Sequence, residues 1–187
     1  MSTTQSLSNQ LLIAMPSLRD SIFARGVALI CQHDEGGAMA VMINRLSEFR
    51  LGDILAQMSM RSDIPDVNDA PVLIGGPVQP ERGFVLHTPQ GVWDSSFQIS
   101  PDISVTTSRD ILAAIAQGNG PERSLVALGY SGWSPHQLEQ ELRDNAWFTA
   151  PTNSTLLFET ALDERWDAAA ALLGINPDNL SPYAGNA

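Results

Sequence analysis

Short apolar runs rich in Leu, Ile and Val recur along the chain and are separated by turn-forming residues. Runs of this length, bounded by Gly, Pro, Asn or Asp, are typical of β-strands that contribute to a core. The pattern predicts about seven to nine strands. They cover residues 10–15, 27–31, 38–43, 71–74, 83–87, 103–107, 124–130 and 155–158, with a further extended segment over 92–99.

Residues 34–37 (Asp-Glu-Gly-Gly) join two of the early strands and predict a hairpin turn. Strands joined so tightly are antiparallel, because parallel neighbours need a long crossover connection. Together with the helices described next, this favours an α+β fold. Its sheet is predicted to be largely antiparallel and strongly bent.

Four segments carry helix signals. Apolar residues recur at helical spacing in the first segment, and Ser108 is predicted to cap the second, which ends at Gly118. Ser134 and Gln137 form a capping-box sequence with proline at the first helical position of the third. The fourth ends at Gly174. The predicted helices cover residues 51–58, 109–117, 135–144 and 164–173, and residues 59–70 are predicted to be a loop.

The length of 187 residues suits one domain. We predict that this domain covers residues 10–187 and follows a flexible, Ser/Thr-rich tail over residues 1–9. The apolar runs are much shorter than the roughly 20 residues of a membrane-spanning helix. Cys31 is the one cysteine and cannot form an internal disulfide, so a soluble protein of a reducing cytoplasm is expected.

The charge of the chain limits its partners. There are 21 acidic residues against 10 basic ones, all of them arginine, and the net charge is -11. Nucleic-acid binding relies on clustered Lys and Arg, so this composition disfavours direct binding to nucleic acid or to anionic membranes. The absence of lysine excludes a phosphate-binding P-loop and pyridoxal or Schiff-base chemistry. No cofactor is predicted.

Residues 129–133 (Gly-Tyr-Ser-Gly-Trp) resemble the G-x-S-x-G nucleophile elbow and lie between a predicted strand and a predicted helix. Trp133 stands where that motif has its last glycine, and its bulk would crowd the tight turn. The segment is therefore interpreted as a strand-to-helix turn with anchoring aromatic residues.

Cys31 and His33 are two residues apart on a predicted strand, so both are expected on one face, where they would suit the start of a metal site. Only His87 and His136 remain as further imidazoles. A buried thiol is therefore favoured, and no metal is predicted.

Three further groups have a structural and a functional interpretation. Ser108 and Asp110 suit helix capping or, as the minority interpretation, an anion site at the helix start. Residues 75–78 (Gly-Gly-Pro-Val) suit a corner of the chain or a close approach to a ligand. Glu139 and Glu141 are predicted to lie on a solvated helix face.

Matching segments span nearly the whole chain in order: 12–16 (LIAMP), 33–34 with 37–39, 43–45 (INR), 75–78 (GGPV), 82–87 (RGFVLH), 107–112 (TSRDIL), 129–130 with 132–133, and 137–139 with Trp147. Together they resemble the YqgE/AlgH family of bacterial proteins. The resemblance implies an α+β fold with a sheet bent toward a pseudo-barrel, in a bacterial cytoplasm. It implies no settled biochemical activity, although some members carry the label of transcriptional regulator connected to alginate production.

The chain departs from this family pattern at Ala40, Leu46, Ser131, His136 and Asn186. The family usually has Gly at 40 and 136, Pro at 46, Ala at 131 and His at 186. The usual alanine at position 131 argues against a serine nucleophile. The missing C-terminal histidine argues against a shared metal site.

The leading hypothesis is a non-enzymatic regulatory or interaction protein that controls expression indirectly through a protein or small-molecule partner. The predicted ligand-binding residues are polar, glycine or aromatic members of the family-like loops, where binding groups tend to lie. They are His33, Asn44, Gly75, Gly76, His87, Tyr130, Trp133 and Gln137. The alternative is a hydrolase with His33 or His87 as general base, and direct DNA binding is the least favoured. The sequence leaves a homo-oligomer open.

Overall fold

The computed structural model describes residues 6–15 and 23–174, and its strands form one sheet curled into a half-barrel. The strands are β1 (Gln10–Ala14), β2 (Val27–Asp34), β3 (Gly37–Met42), β4 (Leu46–Arg50), β5 (Pro71–Ile74), β6 (Val78–His87), β7 (Ser96–Ser100), β8 (Ile103–Thr106), β9 (Ser124–Trp133) and β10 (Trp147–Pro151). The predicted α+β class and the strongly bent, largely antiparallel sheet are confirmed.

Six helices occur in the described residues, and four of them have seven or more residues. They are α1 (Leu51–Gln57), α2 (Pro65–Asn68), α3 (Arg109–Ala116), α4 (Gln137–Arg143), α5 (Ser154–Phe158) and α6 (Arg165–Leu172), with a 3-10 turn at Leu162–Glu164 before α6. None of the helices in this part of the chain has the length and apolar character needed to cross a membrane.

The strands follow the order β10-β1-β2-β3-β9-β6-β8-β7. The predicted hairpin is present, since Asp34 of β2 pairs with Gly37 of β3. β5 pairs with β4 and lies parallel to β9, and this is the one parallel pairing among the described strands. All other pairings are antiparallel.

The long strand β9 organises the sheet. β6 pairs along one of its edges, while β5 and then β3 pair along the other. Gly129, with φ of 77°, lies where the second edge changes from β5 to β3. The chain must pass from β5 to β6 across β9, and residues 75–77 make that connection.

This crossing explains the two glycines of the connection. A Cβ on Gly75 would lie 2.2 Å from the carbonyl oxygen of Gly129, and one on Gly76 would lie 2.1 Å from the carbonyl carbon of Tyr130. Real Cβ atoms do not approach backbone so closely, so the chain can cross here only with glycine. The close approach is to the protein's own backbone, which agrees with the corner interpretation of this segment, and a role of Gly75 and Gly76 in ligand binding stays a prediction.

Three apolar clusters pack on the sheet. The largest joins the concave strands to α5 and α6, with Trp166 as its bulkiest helical member. A second places α1 and α3 on the face formed by β5, β6 and β9. The third places α4 against β1, β2 and β3, where Leu138 and Trp147 are buried. Helices therefore cover the sheet on more than one face.

One predicted strand is wrong. Residues 155–158 belong to α5, where Asn153 caps the helix by accepting a hydrogen bond from the amide of Leu156 (3.1 Å). The strand of this region is β10, which ends at Pro151 and pairs with β1. Leu156 and Leu157 are buried as part of this helix. The apolar stretch is too short for its periodicity to distinguish a helix from a strand.

One predicted helix start and one predicted capping hydrogen bond also differ. α4 begins at Gln137 rather than at residue 135, because His136 occupies the cap position with φ of 68°. One of the two hydrogen bonds of the predicted capping box is present, since Gln137 Oε1 accepts the amide of Ser134 (3.0 Å). Ser108 does occupy the cap position of α3, but its side chain makes no capping hydrogen bond. The predicted loop over 59–70 contains the short α2.

The segment before β1 is bonded to the sheet. The amide of Leu7 donates to His33 Nδ1 (2.9 Å), and that of Asn9 to the carbonyl of Ile30 (2.9 Å). Residues 6–9 of the predicted flexible tail therefore make specific contacts. Residues 1–5 of that tail and Asn186 lie outside the described residues.

Candidate functional site

A cavity of about 490 Å3 lies on the sheet face that carries α1 and α3. Its floor is formed by two cross-strand pairs of β6 and β9, Gly83 with Leu128 and Val85 with Val126. All four residues point to the same face, because directly paired and alternate residues share a side of a sheet. The volume is in the range of small-molecule sites.

The walls combine apolar and polar groups. Phe49, Ile54, Met58, Pro80 and Leu112 provide apolar surface. The polar lining residues are Gln57, Glu81, Thr106, Thr107, Ser108 and Arg109, four of which form the continuous stretch from the end of β8 into α3. Most of the polar lining residues therefore come from one stretch of the chain, and the cavity combines an apolar lining with a few polar groups, as in sites that orient an amphipathic ligand.

Gly83 leaves part of the floor open. A Cβ placed on it would have no neighbouring atom within 4 Å. Its backbone needs no glycine either, since its φ lies outside the left-handed region. The structure therefore contains an unfilled side-chain position that faces the cavity.

His87 lies on the same sheet face, one alternate position beyond Val85, and is 1% exposed. Its Nδ1 donates to the carbonyl of Thr88 (2.6 Å), so Nε2 is the unprotonated nitrogen and accepts the hydroxyl of Thr106 (2.7 Å). Thr106 Oγ1 is also 3.0 Å from Ser96 Oγ. Burial lowers the pKa of His87, which agrees with a neutral ring.

A polar network fixes the start of α3 beside the cavity. The carboxylate of Asp110 accepts the hydroxyl of Ser108 (2.5 Å) and the amides of Asp94 (2.8 Å) and Ile111 (2.9 Å). These hydrogen bonds outweigh desolvation and lower the pKa of Asp110. The side chain that satisfies the helix start is thus Asp110 rather than the predicted Ser108. The Arg109 guanidinium donates to the carbonyl of Met58 (2.7 Å), which joins α3 to the end of α1.

His33 and Cys31 do not share a face, contrary to the sequence prediction. A bulge between Ile30 and Gln32 adds one residue to β2 and reverses the alternation beyond it. Cys31 belongs to the large apolar cluster that includes α5 and α6. His33 pairs instead with Ala38, which packs against the cluster that includes α4. Burial raises the pKa of Cys31 to about 12. No group of three or more potential metal ligands occurs among the described residues.

The predicted residues near α4 form a polar network instead of a cavity. Glu139 accepts from His33 Nε2 (2.5 Å). Glu141 accepts the indole N–H groups of Trp133 (3.2 Å) and Trp147 (3.0 Å), and its other oxygen accepts from Gln137 (3.0 Å). Glu139 and Glu141 are therefore hydrogen-bond acceptors at half-buried positions, and the predicted solvated face is wrong for both.

Tyr130 and Trp133 line a shallow depression between β3 and β9, and Tyr130 packs edge-on against Phe84. Asn44 bridges the chain locally, accepting the amide of Val27 (2.9 Å) and donating to the carbonyl of Arg25 (2.9 Å). Ser131 lies within β9, 1% exposed, with its hydroxyl 3.4 Å from the carbonyl of Gly75. Residues 129–133 therefore form part of a continuous strand and not a nucleophile elbow.

The eight predicted site residues thus occupy several places. The main cavity is lined by none of them, the depression between β3 and β9 is lined by Tyr130 and Trp133, and only His87 adjoins the main cavity, through Thr106. Their role in ligand binding stays a prediction. Gly83, Thr106 and Arg109 were missed. A signal for Gly83 existed, because glycine within a strand often marks a close approach of another molecule.

The sequence model of the AlgH-like family matches residues 11–178. A UPF0301 protein of Xanthomonas campestris pv. campestris (strain B100) is 52% identical over 181 residues, covering 97% of this chain and 96% of the relative. A UPF0301 protein of Xanthomonas oryzae pv. oryzae (strain PXO99A) is 53% identical over the same length and coverage.

Two solved structures share the fold. The solution structure of the AlgH protein from Pseudomonas aeruginosa has a TM-score of 0.81 and 42% identity, covering 100% of this chain and 99% of that one. A protein from Corynebacterium diphtheriae has a TM-score of 0.71 at 21% identity, covering 91% and 90%, and supports the fold alone.

Proposed function

The chain belongs to the AlgH-like family, and from that premise we propose that it is a regulatory protein that acts by binding a small molecule. Binding of that molecule changes which partner the protein contacts. Expression is thereby controlled indirectly, and the protein itself does not bind DNA. The link to exopolysaccharide or alginate production that the name AlgH suggests is part of this proposal. So are a cytoplasmic location and a single domain over residues 10–187.

One observation carries the proposal: the chamber of about 490 Å3 between β6, β9, α1 and α3, with an apolar floor and polar side chains on the stretch from the end of β8 into α3. Sites for small molecules have this combination of apolar lining with a few placed polar groups. The net charge of -11 supports an indirect role, since the acidic surface repels nucleic acid.

Thermal unfolding in the presence of a small-molecule library tests the proposal. A ligand at 100 times its dissociation constant adds about 2.7 kcal/mol of stability. For a chain of this size that corresponds to a rise in Tm of roughly 5–10 °C. The amide resonances that shift on addition of the hit must map to the cavity floor and to α3. Hits whose shifts map only to other surfaces contradict the proposal.

A mobility-shift assay supplies the second arm. Direct DNA regulation requires a retarded band at about 50 mM salt that weakens steeply at about 200 mM. We expect no retardation at the lower concentration. A retarded band formed by the purified protein would replace indirect control by DNA binding.

A second candidate, a hydrolase, is favoured by one specific contact. Thr106 lines the cavity and its hydroxyl donates to the unprotonated Nε2 of His87, whose other nitrogen is held by a carbonyl. This is the order of nucleophile, base and orienting group used in acyl transfer. His33 is less suited, because its unprotonated nitrogen accepts the amide of Leu7 and its other nitrogen bonds to Glu139, so neither bonds to a hydroxyl.

An ester-hydrolysis screen separates the two functions. The hydrolase candidate requires turnover in the parent that is lost in both His87→Gln and Thr106→Val, while Tm in the presence of a library hit still rises. A binding protein gives no turnover in the parent. Turnover that survives in both variants excludes His87 and Thr106 as the catalytic pair.

A further inference from the structure

We propose that the cavity binds a flat aromatic molecule with one anionic group, which lies against the backbone of Gly83 and directs its charge toward Arg109. This inference rests on the proposed function and specifies the ligand class of the same site. The aromatic body, the position of contact and the single charge each have a separate structural argument.

The first argument compares Gly83 with two other glycines of the sheet region. Gly75 and Gly129 lack side chains because each faces another backbone segment, at 2.2 Å and 2.4 Å from a hypothetical Cβ. Gly83 faces open space instead, although it is paired within the sheet to Leu128. Glycine weakens a strand, and no contact with residues 6–15 or 23–174 requires it at this position. The open position therefore suits contact with a ligand.

The second argument concerns shape. Without a side chain at position 83, the floor presents a flat stretch of peptide backbone, flanked on β6 by Val85 and on β9 by Leu128. A planar ring can make van der Waals contact with such a surface along its whole area. Phe49 and Met58 also line the cavity, and an aromatic and a thioether side chain both pack favourably against rings.

The third argument concerns charge. Arg109 is the one cationic residue among those that line the cavity. Its guanidinium donates to the carbonyl of Met58, and this contact leaves further N–H donors unused. Glu81 lines the same cavity. Its negative charge opposes a second negative charge on the ligand, so a monoanion such as a carboxylate or sulfonate is favoured over a phosphate dianion.

Two fluorescent probes that differ in charge test these arguments. They are 8-anilino-1-naphthalenesulfonate, an aromatic monoanion, and N-phenyl-1-naphthylamine, which has the same rings without the sulfonate. We expect both to bind the folded protein with a blue-shifted, enhanced emission. The anionic probe is expected to bind more tightly.

Gly83→Val fills the floor of the cavity, and there is room for the new side chain. It is expected to weaken both probes by about tenfold or more, with Tm unchanged or raised. Gly132→Val is the matched control: it places the same side chain on an exposed strand glycine whose hypothetical Cβ lies 3.6 Å from the Tyr130 ring. Gly132 does not line the cavity, so this variant must bind both probes as the parent does.

Arg109→Gln separates the charge from the rings. It is expected to weaken the anionic probe by about tenfold and to leave the neutral probe within about twofold. Glu81→Gln is expected to tighten the anionic probe alone. Equal losses for the two probes in Arg109→Gln would overturn the assigned role of the guanidinium.

The outcomes also separate this inference from the proposed function. If library ligands bind in the cavity but neither probe does, the aromatic monoanion class is wrong and the proposed function stands. If both probes bind equally to the parent, Gly83→Val and Gly132→Val, their binding is not at the Gly83 floor and the inference fails. If no compound of any kind binds the cavity, both fail.

Discussion

Glu139 of α4 accepts a 2.5 Å hydrogen bond from Nε2 of His33, whose side chain is 1% exposed. His33 Nδ1 accepts the amide of Leu7, so the ring proton must reside on Nε2 and is donated to the carboxylate. This bond is the largest reason that the pKa of Glu139 is lowered. One histidine thus links the segment before β1, strand β2 and helix α4.

The bond predicts an acid-dependent loss of stability. Because the folded-state pKa of Glu139 is lowered from the ordinary value of 4.5, its contribution to stability is present above that pH and is lost as the pH falls through the lowered pKa. Glu139→Gln is expected to reduce the free energy of unfolding by about 1–2 kcal/mol at neutral pH, and to flatten its decline below about pH 4. Urea unfolding at several pH values measures both effects. Glu35→Gln, in the exposed hairpin turn, is the control and should match the parent. An unchanged acid profile in Glu139→Gln would contradict the assignment.

His87 predicts a second pH dependence, at higher pH. Burial lowers its pKa, so the unfolded chain takes up the proton first as the pH falls below about 6.5. Stability is therefore complete above that value and decreases as the pH falls toward the lowered pKa. In His87→Gln this part of the decrease is expected to vanish. Nitrogen-15 spectra of the imidazole should show a neutral ring protonated at Nδ1 at pH 7, and protonation at Nε2 would contradict the hydrogen-bond chain to Thr106.

The crossing of β9 predicts opposite responses at two glycines. Gly76→Ala places a Cβ against the backbone of Tyr130 and is expected to destabilise the protein by about 2–4 kcal/mol. Gly83→Ala meets nothing and is expected to be neutral or to stabilise by about 0.5 kcal/mol, because alanine is less flexible than glycine in the unfolded chain. Denaturant midpoints measure both. A similar loss of stability in the two variants would contradict this explanation. It would show that glycine is needed at both positions for its backbone flexibility and not because of the close crossing.

Cys31 is predicted to be unreactive in the folded protein. With its pKa raised to about 12, only about one thiol in ten thousand is ionised at pH 8. A disulfide reagent at that pH should modify no thiol in the native protein and one thiol per chain in denaturant. Rapid modification of the native protein would show that the concave core opens to solvent.

The sequence predicted the strands wherever local pattern and packing agree. The structure contains the predicted hairpin of β2 and β3 and the predicted helices α1 and α3. The last helix also ends before Gly174, as predicted. It failed where a short apolar stretch fits either structure, as at α5, since four or five residues do not separate a strand period from a helical one. It also failed at the start of α4, where the backbone conformation of His136 delays the helix.

The ligand-binding residues predicted from the sequence include none of those that line the candidate site and only one residue beside it, His87. His87 was selected because of its chemistry, but its relation to the cavity depends on Thr106 of another strand. Gly83 was included in a family-like segment without a role, because an empty space beside a glycine exists only once β9, α1 and α3 have assembled around it.

The sequence by itself determined the alternation of apolar and polar positions, the tight turns and the acidic, lysine-free composition, and the first two of these specify a largely antiparallel α+β fold. The bulge that turns His33 away from Cys31, the crossing of β9 at Gly76 and the chamber above Gly83 were decided by tertiary structure alone. The reason is physical. Periodicity is a property of neighbours along the chain, whereas register, close approach and empty volume depend on segments that lie far apart in sequence and meet only in the folded protein.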